Sequence, residues 1–313
     1  MAVSGSPPTP DLRLDWPAPY DVDLGGVLGP FVRGRLDPTI RQGAGGIWLT
    51  MRTADGPATV HLAGRQGRVD AGAWGPGAAG ALLSIPALLG SGDDPSGFDA
   101  SGLPDHLAAS WMQWRDRWRV PRSGRVMEAL VIAILEQKVT GLQARRAWSS
   151  LLRSVGTPAP GPAPEGMRVF PSPADIRGIP SWQWHRWGVQ PQQSATIMRA
   201  TRVAGRIEQC VDLDIDAARR RLRAIDGVGP WTVAEVSSRA LGDPDALSFG
   251  DFHLPGQVVY AFTGRRDGTD ESMAALLEPF AGHRYRVQRL VELSGITRPA
   301  RGPRMAMSDH RHH

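Results

Sequence analysis

The stretch that most constrains the fold is 222-LRAIDGVGPWTVAEV-236, where two glycines and a proline fall within four residues between two helical patterns. DAARRRLRAI before it and WTVAEVSSRA after it both carry apolar residues at helical spacing. Gly227 stands where the first helix must end, because glycine tolerates positive φ. Gly229 permits close backbone approach. Pro230 suits the first position of a second helix, where its missing N–H costs nothing. The chain is thereby committed to a helix, a tight turn and a second helix. Free backbone N–H groups at the start of that second helix attract anions, and a DNA phosphate would suit them. Gly-x-Gly alone serves an ordinary helical corner equally well, so both readings stay open.

The N-terminal part has a different texture. IWLTMRT (47–53) and ATVHLAG (58–64) are short β-rich runs joined by the turn signal ADGPA, and GRVDAGAWG (67–75) reads as a third strand. VLGPFVRGRL and AAGALLSIPALLG read as helices, and GSGDDPSGFDASG (90–102) reads as a linker by composition. Beyond it the period becomes helical. HLAASWMQWRDRW carries Trp111, Trp114 and Trp118 on one helical face, and residues 125–156 read as helix, break, helix. Residues 157–172 are too proline-rich for regular structure, and further helices follow. The expected fold is mainly α. An all-helical domain over residues 103–297 follows a small α+β domain with an antiparallel sheet over residues 12–99. A disordered Ser/Pro-rich tail (1–11) and a polar tail (298–313) flank them.

Bulk properties narrow the chemistry. Net charge is +5 and the sequence pI is about 10.2, a modest bias toward a polyanionic partner. The single cysteine, Cys210, excludes a disulfide framework and any four-cysteine zinc or iron–sulfur site. No apolar run reaches the roughly 20 residues of a membrane span. The N-terminus does not read as a signal peptide, so a cytoplasmic protein is expected. A monomer is expected as well.

The whole string L-x-x-I-x-G-V-G-x-x-T-x-x-x-V, with GDFH (250–253) downstream, resembles the helix–hairpin–helix DNA glycosylase superfamily. ILEQKVTGLQARRAW (134–148) is similar to the segment that enters DNA beside the flipped base. LDWPAPYDVDLGGVLGPFVRG (14–34) resembles the opening of the bacterial 3-methyladenine DNA glycosylase II type. The resemblance covers about residues 12–297. It implies that Gly227, Val228, Gly229, Trp231 and Thr232 lie at a DNA phosphate. It also implies that carbonyls of Arg223, Ile225 and Val228 hold a monovalent cation, Na+ or K+. Gln137 and Lys138 match positions that contact bases and fill the gap left by the flipped nucleotide. The wedge is apolar in that type, so Lys138 departs from it, and a solvated helix end is its plain reading.

Asp251 is the catalytic candidate. Alone it reads as a helix N-cap; with the resemblance it becomes the carboxylate that stabilises positive charge on the sugar or activates water. Trp231 occupies the place where strand-cleaving relatives have a Schiff-base lysine, and indole cannot form an imine. The resemblance therefore implies a monofunctional enzyme that acts on double-stranded DNA in base excision repair. It would release alkylated, 3-methyladenine-type bases after flipping them, with no required cofactor. Trp231, Glu235 and Phe280 are the base-pocket candidates, with core packing the plain alternative for the two aromatics. Glycosylase action on a neutral base, uracil or hypoxanthine, and non-catalytic lesion binding are the rival readings. Trp182, Trp184 and Trp187 read as core, like the earlier tryptophans. RVPRSGR (119–125) reads as a solvated or phosphate-facing loop, and His310, His312 and His313 are too sparse for a metal site.

Overall fold

The computed structural model describes residues 9–43 and 45–299. Five strands lead the chain: β1 (Leu12–Pro17), β2 (Ile40–Gly43), β3 (Gly46–Thr53), β4 (Gly56–Arg65) and β5 (Arg68–Trp74). They form one antiparallel sheet in the order β1-β5-β4-β3-β2. Tight turns set the register, with Thr53 opposite Gly56 and Arg65 opposite Arg68. Gly67, at φ +67°, supplies the backbone twist that such a turn demands. The three strands expected from the sequence are β3, β4 and β5. β1 and β2 are additional, and β2, with four residues, is too short to show alternation.

Helix α1 (Leu24–Leu28) and a 3-10 turn at Gly29–Phe31 precede β2. The helix expected over 27–36 therefore stops early; Gly34, at φ +94°, lies outside helical space. Helix α2 (Ala78–Leu88) covers the sheet through buried Ala81, Ile85 and Leu88, which share one helical face.

The rest is helical: α3 (Asp105–Trp114), α4 (Val126–Leu135), α5 (Gly141–Val155), α6 (Pro173–Arg177), α7 (Ser181–Arg186), α8 (Pro191–Arg202), α9 (Ala204–Glu208), α10 (Ile215–Arg223), α11 (Pro230–Val236), α12 (Leu254–Thr263), α13 (Asp270–Leu277) and α14 (Arg284–Leu293). A π turn, Ser237–Leu241, continues α11. Inside the proline-rich segment, Thr157–Pro158 pairs with Arg168–Val169, a short antiparallel contact that composition did not signal. Trp118 lies beyond the end of α3, so the three tryptophans do not share one helix, although Trp118 is buried. Trp184 is core as expected, whereas Trp182 is 61% exposed.

α4 is the central helix. Its sequence VMEALVIAIL is apolar on nearly all sides, and α8 and α11 pack against it. The Glu208 carboxylate accepts the backbone N–H groups of Val126 and Met127 at 3.0 Å each and so caps α4 from another element.

Sheet and helices share buried surface. The sheet's apolar cluster includes Trp118, Val120, Ala234, Ala246 and Tyr285 from the helical part. The stretch 90–102, which reads as a linker, is pinned at two points. Asp93 accepts two N–H groups from the Arg286 guanidinium at 2.7 and 2.9 Å, both side chains being buried. Phe98 packs on the rings of Trp111 and Phe280.

Candidate active site

The hairpin forms as its glycines and proline require. α10 ends at Arg223, and Val228 N–H donates to the Ile225 carbonyl at 2.9 Å to close the turn. Gly227 sits at φ +92°. A Cβ there would lie 2.1 Å from Thr196 Oγ1 on α8, so both conformation and packing demand glycine. Gly229 differs: its φ is −89° and ψ 179°, and a Cβ would meet nothing within 4 Å. The fold does not need glycine there, whereas a close ligand would. Pro230 opens α11, and buried Val228 and Thr232 anchor the turn on either side.

The turn after α4 meets the hairpin directly. Gln137 Nε2 donates to the Gly227 carbonyl at 3.0 Å and to Thr232 Oγ1 at 2.9 Å. Lys138 beside it is exposed and adopts φ +54°, the one positive φ outside glycine among the described residues. Such a conformation costs an L-residue about 1–2 kcal/mol. The buried Gln193 on α8 helps impose it. Its Nε2 lies 3.0, 3.2 and 3.1 Å from the carbonyls of Ile134, Leu135 and Gln137. Sequence reasoning missed Gln193, and the only local signal was the Gln-Pro start of α8.

Asp251 follows Gly250, which turns the chain at φ +83°. Asp251 Oδ1 accepts the backbone N–H groups of His253 and Leu254 at 2.7 and 2.8 Å. Asp251 Oδ2 accepts the indole N–H of Trp231 at 3.1 Å. The residue is thus a cap for α12 and a partner of the hairpin at once. Asp270 fixes the same loop by accepting Gly250 N–H at 2.8 Å. Phe249 and Phe252 flank Gly250 and Asp251, and Phe252 is 79% exposed. Sequence reasoning passed over this pair, although an aromatic on each side of Gly-Asp is visible in SFGDFH.

Two pocket candidates are engaged within the protein. Glu235 is only 9% exposed, and its carboxylate is spent inside the protein. Its Oε1 accepts the Ser248 hydroxyl at 2.6 Å, and its Oε2 pairs with Arg239. Burial alone would lower the Arg239 pKa, but the Glu235 and Glu136 carboxylates outweigh it and hold the guanidinium above its ordinary value. Phe280 is 4% exposed within an apolar cluster that also holds Leu103, Leu254 and Leu277, apart from the cluster that takes Val228 and Trp231. Packing demand on the last helices, not a pocket, explains this aromatic. Gln137, Gly227, Thr232, Trp231 and Asp251 are the residues brought together.

No group of three or more His, Cys, Asp or Glu among the described residues is arranged to hold a metal ion. His310, His312 and His313 lie outside the described residues.

The fold has counterparts among solved structures. The 3-methyladenine DNA glycosylase of Archaeoglobus fulgidus matches with a TM-score of 0.74 over 91% of this chain and 98% of that one, at 15% identity. The chain has the fold of the helix–hairpin–helix DNA glycosylases. The 8-oxoguanine glycosylase/lyase of Clostridium acetobutylicum, in complex with duplex DNA bearing cytosine opposite 8-oxoguanine, shares this fold. It matches at TM-score 0.66 over 91% of this chain and 97% of that one, with 11% identity. By sequence, the chain is 31% identical over 140 residues to a probable bifunctional transcriptional activator/DNA repair enzyme AlkA of Mycobacterium tuberculosis. That match covers 44% of this chain and 27% of the relative, so the chain spans about a quarter of the curated protein's length. No protein-family profile matches. In this helix–hairpin–helix fold the α10–α11 hairpin, the turn after α4 and the loop before α12 converge on Trp231 and Asp251. No helix among the described residues is long and apolar enough to cross a membrane.

Proposed function

We propose that this chain is a DNA glycosylase of base excision repair that hydrolyses the N-glycosidic bond of an alkylated, 3-methyladenine-type base in double-stranded DNA. One observation carries the reading: Trp231 on the hairpin helix donates to Asp251 Oδ2 at 3.1 Å. A phosphate-gripping element and a fixed carboxylate are thereby held in one geometry.

The chemistry follows from acceptor counting. An ionised carboxylate offers about four lone-pair sites, and the structure fills three of them, two on Oδ1 and one on Oδ2. The remaining site on Oδ2 is the one we assign to the attacking water or to the developing positive charge of the sugar. The flipped base then stacks on Trp231, whose indole face attracts an electron-poor ring. Glu235 is neutralised by Arg239 and contributes no free charge to that pocket. Gln137 ties the turn after α4 to the hairpin, and the exposed Lys138 beside it is the residue we assign to the gap left by the flipped base. Gly227 and Gly229 present backbone N–H groups to a phosphate, while Val228 N–H, committed to the Ile225 carbonyl, shapes the turn that aims them. The carbonyls of Arg223, Ile225 and Val228 are hard oxygen donors of the kind a monovalent cation takes, and the Ile225 carbonyl keeps a lone pair beyond its bond to Val228 N–H. With Trp231 in place of an amine, release is hydrolytic and the strand stays intact.

One observation favours a second reading. Asp251 also caps α12 through Oδ1, which is what a lesion-binding protein without catalysis would require of it. A panel of duplexes, each with one modified base and including uracil and hypoxanthine, separates the readings at neutral pH. Release of the alkylated base without borohydride trapping supports the proposal. Tight abasic-site binding with no release from any duplex supports the binder.

A further inference from the structure

We infer that residues 29–37 of the sheet domain are part of the site's positioning machinery and brace both of its halves. This rests on the glycosylase reading and adds a role for the N-terminal domain.

Two chains of contacts carry the inference. In the first, the Pro30 carbonyl accepts Arg239 Nε–H at 3.1 Å. Arg239 pairs with Glu235, and Glu235 accepts the Ser248 hydroxyl at 2.6 Å. The Ser248 carbonyl in turn accepts Asp251 N–H at 3.3 Å. In the second, Arg33 Nε lies 2.9 Å from Glu136 Oε1, and Glu136 immediately precedes Gln137. Both begin at one place, because Arg33 also donates to the Pro30 carbonyl at 2.7 Å.

The starting point is itself fixed. The buried Asp37 accepts Arg33 N–H at 2.6 Å and Thr39 N–H at 2.9 Å. The Trp148 indole on α5 reaches the same carboxylate at 3.4 Å. Arg33, Glu136, Glu235 and Arg239 form a largely buried cluster of two ion pairs beside the Asp37 carboxylate. In such a setting a charge deprived of its partner is costly, so the four hold one arrangement. The loop bearing Asp251 and the turn bearing Gln137 and Lys138 are thus referenced to the same 3-10 turn. Arg33, Glu136, Glu235, Arg239 and Ser248 are positioning residues, since they act on the site through neighbours.

Ser248→Ala in the full-length chain tests this, because it deletes one hydroxyl and leaves the ion pairs intact. The expected result is a fall of about 10- to 100-fold in single-turnover base release, the scale of a small misplacement of a reacting group. Affinity for abasic-site DNA stays at the wild-type value, and amide hydrogen exchange quickens selectively over residues 249–254. Glu136→Gln is the companion variant, with quickened exchange expected over residues 136–140 instead. Wild-type release and wild-type exchange in Ser248→Ala would overturn the inference, as would uniform quickening across the chain. If wild-type protein releases no base, the glycosylase reading fails, and the exchange pattern still decides whether this network positions the loop.

Discussion

The two hairpin glycines have different tasks, and alanine at each separates fold from function. At Gly227 the added methyl is strained twice. The φ of +92° costs an L-residue about 1–2 kcal/mol. The Cβ would also lie 2.1 Å from Thr196 Oγ1 and 3.0 Å from its Cγ2, on a packed helix, an overpacking of about 1–3 kcal/mol. Gly227→Ala is therefore expected to cost about 2–5 kcal/mol in total. With a urea m-value of about 3 kcal/mol/M, the midpoint falls by about 1 M. Adding Thr196→Ala removes the two closest atoms but leaves φ unchanged, so it should recover only the overpacking part. At Gly229 the backbone suits any residue and the space is open. The loss of glycine's small N-cap advantage and the gain from a stiffer unfolded chain offset each other to within about 0.5 kcal/mol. Its effect is expected on DNA instead. A methyl between the turn and a phosphate removes one charge-assisted hydrogen bond of about 1.5–3 kcal/mol, or about 10- to 100-fold in Kd. Urea unfolding and fluorescence anisotropy with an abasic-site duplex at fixed salt measure the two effects. Wild-type stability in Gly227→Ala, or wild-type DNA affinity in Gly229→Ala, would refute this division of labour.

Two further outcomes follow from the same contacts. Gln137→Ala removes the bonds to the Gly227 carbonyl and Thr232 Oγ1. It should destabilise the fold by about 1–2 kcal/mol and make the Gly227 amide exchange faster; an unchanged exchange rate would show that the turn and the hairpin are not coupled. Asp245 is titration-sensitive. Burial alone would raise its pKa, but hydrogen bonds from the Arg284 side chain and from the backbone N–H groups of Arg284 and Gly282 hold it below the ordinary 3.8. Its stabilising contribution is thus complete above that value and is lost as pH falls through the lower folded-state pKa. The wild-type urea midpoint should therefore drop more steeply below pH 3.8 than that of Asp245→Asn, and parallel curves would contradict the pairing.

The hairpin was legible because glycine and proline act locally: helix end, turn and helix start each need a particular backbone, and GVGP supplies them in order. Asp251 was visible as a cap from spacing and as a catalytic candidate only through resemblance. Its bond to Trp231, 20 residues away in sequence, is a tertiary fact. Glu235 reads from sequence as a pocket candidate, yet one partner of its carboxylate is legible there too: Arg239 stands at i+4 on the same helical run, a spacing that places side chains side by side. Its other contact, Ser248, could not be read from local pattern. Phe280 illustrates the ordinary fate of an aromatic before a final helix, since the cluster around it is assembled from distant segments. Strands β1 and β2 and the carbonyl-binding Gln193 escaped for the same reason, their partners being remote in sequence.

Asp251→Asn measures the central claim most directly. The amide keeps one carbonyl oxygen to cap α12, while its NH2 group replaces the Oδ2 acceptor and gives up the Trp231 N–H bond, so the fold should lose no more than about 1–3 kcal/mol and abasic-site DNA should still bind. Single-turnover release of an alkylated base should fall by at least about 100-fold, because the fixed negative charge is gone. Release at the wild-type rate by Asp251→Asn would contradict the claim that this carboxylate carries the chemistry.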